Sequence, residues 1–174
     1  MEQATWYAIH TRSRQERIAA RVLENLGIRV FLPLITEVHR WSDRKKEVTV
    51  PLFASYLFVQ IPSSRESQVR VLKVPGVINF VGNQLGPLAV PEKEIEDVRS
   101  VLSERIDCSP CPFLNIGERV RIIGGALDGI EGTLVGRGPD TKLVISIELI
   151  QRSMAISVYG FNVKPVGASR SAAA

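Results

Sequence analysis

Cysteine occurs only twice in this 174-residue chain, at Cys108 and Cys111, and histidine only twice, at His10 and His39. A lone CxxC supplies half of a structural zinc site, and both histidines lie far back in the sequence. No metal or other cofactor is expected. A redox CxxC opens a helix after a strand, whereas Ser109-Pro110 and Pro112 break up this segment, so thiol chemistry is set aside too. No apolar run approaches membrane-spanning length. Met1-Glu2-Gln3-Ala4-Thr5 lacks the charged and apolar regions of a signal peptide. A cytoplasmic protein without membrane contact is the expectation. A P-loop and a nucleophile elbow are missing as well, and Asp43, Glu47 and the other acids show no paired spacing for general acid–base work. No enzyme is expected.

The hydrophobic share, 45%, is that of an ordinary globular protein, and the length suits one medium domain or two small ones. Net charge is +4, from 22 basic and 18 acidic residues, but it is unevenly placed. Arg12 to Lys46 holds nine Arg or Lys against four acids, a local +5, so nucleic-acid contact is expected in the first third.

The organising stretch is Pro51-Leu52-Phe53-Ala54-Ser55-Tyr56-Leu57-Phe58-Val59-Gln60-Ile61, read as one strand. Alternation puts Phe53, Leu57, Val59 and Ile61 on one side and Tyr56 and Phe58 on the other, both sides apolar. Such a strand needs two covers. It is either a central strand inside its own domain, or Tyr56 and Phe58 line a groove offered to another protein.

Around it, Trp6-Tyr7-Ala8-Ile9-His10 reads as a first strand. Ser13-Arg14-Gln15-Glu16 is a capping box, opening a helix with Ile18, Ala19, Val22, Leu23 and Leu26 buried and Gly27 as its stop. Arg14, Arg17 and Arg21 recur on one face of that helix, a line of guanidiniums suited to nucleic acid. A strand from Val30 to about Arg40 and its return over Glu47-Val48-Thr49-Val50 form a long hairpin. Its tip carries Arg40, Arg44, Lys45 and Lys46, with Trp41 free to stack on a base or sugar. A short helix follows at Glu66 to Lys73, then a strand at Val77 to Val81. A last helix opens at Pro91 with the stripe Ile95, Val98, Leu102 and Ile106. The fold class expected over residues 5–106 is α+β, an antiparallel sheet flanked by helices. Residues 107–115 read as a linker. Four β-branched runs within 116–166, separated by glycine-rich turns, predict a small all-β barrel. The tail 167–174 is expected to be disordered.

Trp6-Tyr7-Ala8-Ile9 and Pro51 to Val59 resemble the N-terminal domain of the NusG family of transcription elongation factors. Gly117, Val120, Ile122, Gly125, Leu127, Gly129 and Gly132 resemble a KOW module. Where the family usually has Pro-Gly or Pro-Asn, this chain has Ala54-Ser55. Trp41 to Lys46 and Glu148-Leu149-Ile150-Gln151-Arg152-Ser153 look more like the specialised paralogues of the RfaH and UpxY type. The resemblance implies a monomer that binds the clamp coiled coil of bacterial RNA polymerase through Trp6, His10, Phe53, Tyr56 and Phe58. It implies a second contact with the opposite jaw near Ser67 and Gln68. Arg12, Arg14, Arg17, Arg21 and the hairpin tip would face non-template single-stranded DNA. Leu149 and Ile150, expected exposed on a turn, would engage a small-subunit ribosomal protein or Rho. The implied function is processive elongation or antitermination; the alternative is a free-standing RNA-binding or ribosome-associated module. In RfaH the KOW segment can fold as a helical hairpin over the groove. Here β-branched Val144 to Ile147 and the glycines from Gly124 to Gly138 predict an all-β state in the free protein.

Overall fold

A computed structural model describes residues 4–40, 45–112, 117–136, 141–158 and 161–166. The chain divides into two compact units: the first runs to Ile95 and includes the turn Glu148–Ile150, and the second comprises the remainder from Glu96.

The alternating apolar residues near the N-terminus form β1, Thr5–Thr11, followed by α1, Glu16–Asn25. Helix α1 stops where Gly27, at φ 76°, donates its N–H to the Glu24 carbonyl. The single strand expected from Val30 to Arg40 is two strands, β2 at Arg29–Phe31 and β3 at Leu34–Arg40. Pro33, which has no N–H to give a ladder, lies in the break. Strand β4, Lys45–Pro51, returns along β3 in the expected hairpin. The hairpin tip, including Trp41 and Arg44, lies outside the described residues.

The organising strand is shorter than its apolar run. Pro51 ends β4, residues 52–55 turn, and β5 spans only Tyr56–Ile61. Then come α2, Arg65–Leu72, capped by Ser64, and β6, Val77–Phe80. A small ribbon of β7, Gly82–Asn83, and β8, Gly86–Pro87, was not legible in the pattern. Helix α3 covers Glu92–Ser103 and buries Ile95, Val98 and Val101, while Leu102 stays half-buried.

Strand order in the main sheet of the first unit is β2-β5-β1-β6, with every pairing antiparallel. One face of it packs Tyr7, Ile9, Leu57, Val59 and Ile61 with Ala19, Ala20 and Leu23 of α1 and Val71 of α2. Ile18, expected in the buried stripe of α1, is 57% exposed instead. Small Ala19 and Ala20 occupy the buried positions, which leaves Ile18 on the arginine face.

Beyond α3 the second unit is a six-stranded antiparallel sheet. In chain order its strands are β9 Cys108–Pro112, β10 Glu118–Ile123, β11 Glu131–Val135, β12 Lys142–Ile147, β13 Arg152–Ser157 and β14 Asn162–Pro165. The β-branched runs seed β10 to β13, and Val144 to Ile147 is strand rather than helix, as the propensities predict. Residues 108–112, expected to be an irregular linker, form an edge strand along β13. The prolines that argued against structure are tolerated there because alternate residues of an edge strand turn their backbone nitrogen outwards. The tail 167–174 lies outside the described residues.

Candidate binding face on the first unit

Strand alternation places Trp6, Ala8 and His10 of β1 on the face opposite the α1 core. In the antiparallel register Trp6 meets Gln60, Ala8 meets Phe58 and His10 meets Tyr56. Four of the five residues expected to grip a partner therefore share one face of one strand pair. Phe53 joins them from the turn, its ring edge-on to Phe58 at 6.4 Å. The His10 and Tyr56 rings lie 5.3 Å apart across the ladder.

Exposure divides this group. Trp6, Phe53 and Phe58 are 2%, 1% and 0% exposed, whereas His10 and Tyr56 are half-buried. Phe58 is a core ring, not a rim residue, because Phe31 of β2 stacks on it at 6.1 Å and Phe53 closes its edge. Trp6 is overlain by the Arg29 guanidinium, 5.8 Å from the ring centre, which also donates to Gln60 Oε1 at 3.0 Å. Sequence reasoning passed over Arg29 and Phe31. The signal for both was the β2–β5 pairing, which periodicity alone does not give.

Glu16 was also missed in its true role. Ser13 does not cap α1; Gln15 holds that position without a side-chain hydrogen bond. Glu16 is 5% exposed, and its Oε1 accepts from the backbone N–H of Ser55 at 2.8 Å.

The basic residues are placed as follows. Arg12, Arg14, Arg17 and Arg21 are exposed around the start and outer face of α1. Arg17 reaches the Thr49 carbonyl of β4 at 2.9 Å, so it ties the helix to the hairpin. Lys46 is exposed on β4; Arg40 and Lys45 are on the strands, with their side chains outside the described residues. Ser67 and Gln68 sit half-buried in the first turn of α2, where the Ser67 N–H donates to Ser64 Oγ and Gln68 Nε2 to the Ser63 carbonyl. Gln68 also lines a cleft of about 360 Å³ with Leu72, Asn79, Phe80 and the β7–β8 ribbon.

Between β12 and β13, Ile150 is only 5% exposed and Leu149 half-buried, so the expected exposed pair is corrected. Ile150 closes the tight 3-10 turn Glu148–Ile150 and is buried there. Cys108 and Cys111 are free thiols, three apart on a strand, so they point to opposite faces. Burial pushes both thiols up; Asp107 adds to the rise at Cys108, and Lys142 opposes it at Cys111. Among the described residues no group of three His, Cys, Asp or Glu could hold a metal ion.

An antiparallel sheet with an aromatic face beside a basic helix, followed in the chain by a second antiparallel sheet, defines a mixed α/β protein. Residues 4–99 match the family model described as transcription termination factor nusG, and the chain belongs to the NusG family. It is 26% identical over 171 residues to the transcription termination/antitermination protein NusG of Rickettsia bellii (91% of this chain, 88% of that one). It is 27% identical over 168 residues to the protein of the same name from Lactococcus lactis (88% of each chain). These alignments extend past residue 99 into the second unit. A solved structure titled "Domain interaction in Thermotoga maritima NusG" covers 94% of this chain and 98% of its own, with 22% identity and a TM-score of 0.57, a likeness of fold.

Proposed function

We propose that this chain is a bacterial transcription elongation factor that binds the RNA polymerase clamp and promotes processive elongation or antitermination. The observation that carries this reading is the gathering of Trp6, His10, Tyr56 and Phe58 on one face of the β1–β5 pair. His10 and Tyr56 are the accessible contacts, and Trp6, Phe53 and Phe58 are the buried floor that holds them. Ser67 and Gln68 on α2 are the contact with the opposite jaw. Arg12, Arg14, Arg21 and Lys46, with the hairpin tip, meet the phosphates of the non-template DNA strand, a term that is sequence-independent and weakened by salt. Arg17 contributes less, because its guanidinium is already engaged with Thr49. Residues 5–106 form the polymerase-binding domain, and 116–166 act as a KOW domain. Leu149, the more exposed of its turn pair, recruits a small-subunit ribosomal protein or Rho. Membership of the NusG family supports this assignment, and within it the sequence of the hairpin tip is read as the specialised RfaH or UpxY type.

The test is affinity capture of RNA polymerase after nuclease treatment, with the wild type and Tyr56→Ala. Tyr56→Ala should weaken capture by roughly 2 kcal/mol, the scale of an interface anchor, while the melting temperature barely moves. Loss of all polymerase on nuclease treatment would favour the free-standing RNA-binding module instead.

A further inference from the structure

The turn that enters β5 brings both Phe53 and Tyr56 to the aromatic face. Tyr56 N–H donates to the Phe53 carbonyl at 3.1 Å, and Ser55, at the third position of this turn, has φ 66°. A turn of this kind favours glycine or asparagine there, because a Cβ is disfavoured in the left-handed region. Serine therefore needs outside support, and both of its backbone groups receive it. Its carbonyl accepts from Thr11 N–H at 2.9 Å, and its own N–H donates to Glu16 Oε1 at 2.8 Å. Glu16 is nevertheless a carboxylate only 5% exposed, a costly residue to bury for a role that a surface acid in the first helical turn could fill.

We propose that Glu16 is a positioning residue for the aromatic face. It locks Ser55 in its left-handed conformation, which holds Phe53 edge-on to Phe58 and Tyr56 against His10, so that a partner meets a preformed surface. The lock stands on geometry alone; its consequence for affinity rests on the polymerase-binding reading above. What the lock requires is an acceptor oxygen, not a charge. A helix-dipole role would require the charge.

The experiment compares Glu16→Gln, Glu16→Ala, Ser55→Gly and the double variant Glu16→Ala/Ser55→Gly in the full chain. Hydrogen exchange at amide 55, the ring resonances of His10 and Tyr56, and polymerase affinity are measured together. Glu16→Gln should keep the slow exchange, the ring positions and the affinity. Glu16→Ala should speed exchange at amide 55 and weaken binding by about tenfold, the scale of one lost hydrogen bond, and shift both rings. Ser55→Gly added to Glu16→Ala should restore rings and binding, because glycine takes the same φ unaided, while amide 55 stays fast. Unchanged exchange in Glu16→Ala, a Gln variant as impaired as Ala, or a double variant no better than Glu16→Ala would overturn the lock. If Glu16→Ala does not fold, the double variant decides: folded supports the proposal and unfolded overturns it. If the wild type itself does not bind polymerase, the functional reading falls, and exchange and ring resonances alone decide the lock.

Discussion

Two turns, one in each unit, reach the left-handed region by different means. In the second, Gly124 and Gly125 take φ of 77° and 76°, with open space where a Cβ would stand. The Gly124 N–H is met by Asp128 Oδ1, four residues on, at 2.6 Å. In the first, Ser55 adopts nearly the same φ, but its support comes from Thr11 and from Glu16, 39 residues away in sequence. A left-handed residue is thus local chemistry in one turn and tertiary chemistry in the other. The first kind announces itself as glycine. The second is silent until the fold is in place.

The severest way to break this contrast is to remove the packing around the Ser55 turn. Phe58 is fully buried between Phe31 and Phe53, so Phe58→Ala should lower unfolding stability by about 3–5 kcal/mol in urea titration. A loss below about 1 kcal/mol would mean that the turn does not depend on tertiary support.

The second unit offers an internal control. At Gly117, φ is 144°, and an added Cβ would stand 2.6 Å from the Leu134 carbonyl oxygen. Gly117→Ala should cost about 1–3 kcal/mol, since strain and close approach combine. Gly124→Ala meets nothing within 4 Å and should cost only about 1 kcal/mol, from backbone conformation. Equal losses in parallel thermal melts would show that space is irrelevant and only φ matters.

The smallest effect concerns β9, an edge strand of the second unit's sheet. Burial holds the protons of Cys108 and Cys111 more tightly in the folded chain than in the unfolded one. Their stabilising contribution is then fully present below the ordinary thiol value, about pH 8.5, and is lost as pH rises through the raised folded values. The denaturation midpoint should fall more between about pH 7.5 and about pH 10 in the wild type than in Cys108→Ala/Cys111→Ala. Parallel declines would remove the thiols from the pH dependence.

What could be read from the sequence follows the same division between local and distant. The helix stop at Gly27, the β3–β4 hairpin and the strands β10 to β13 rest on neighbours in the chain, and all were legible. So was the shared face of Tyr56 and Phe58, because strand parity fixes it, whereas Trp6 and His10 were grouped with them through the family resemblance and not by parity. Ser13 to Glu16 has the spacing of a capping box, yet Glu16 spends its oxygen on a turn far downstream, which no local pattern can reveal. Ile18 looked like core by its period, but the adjacent alanines gave closer packing. The burial of Phe58 depended on Phe31, whose strand was hidden by running β2 and β3 together across Pro33. The order of residues 108–112 depended on β13, forty residues later, as a partner.

That last strand also governs how the second unit behaves in company. The sheet ends at β9 on one side and β14 on the other. Pro110 and Pro112 lie on the first border and Pro165 on the second. A proline has no hydrogen to give to an incoming strand, so each border is a poor template for a neighbour's backbone. This sheet is therefore a poor seed for growth onto a neighbour's, and a chain whose edge prolines were replaced by valine would be the one to watch for fibrils.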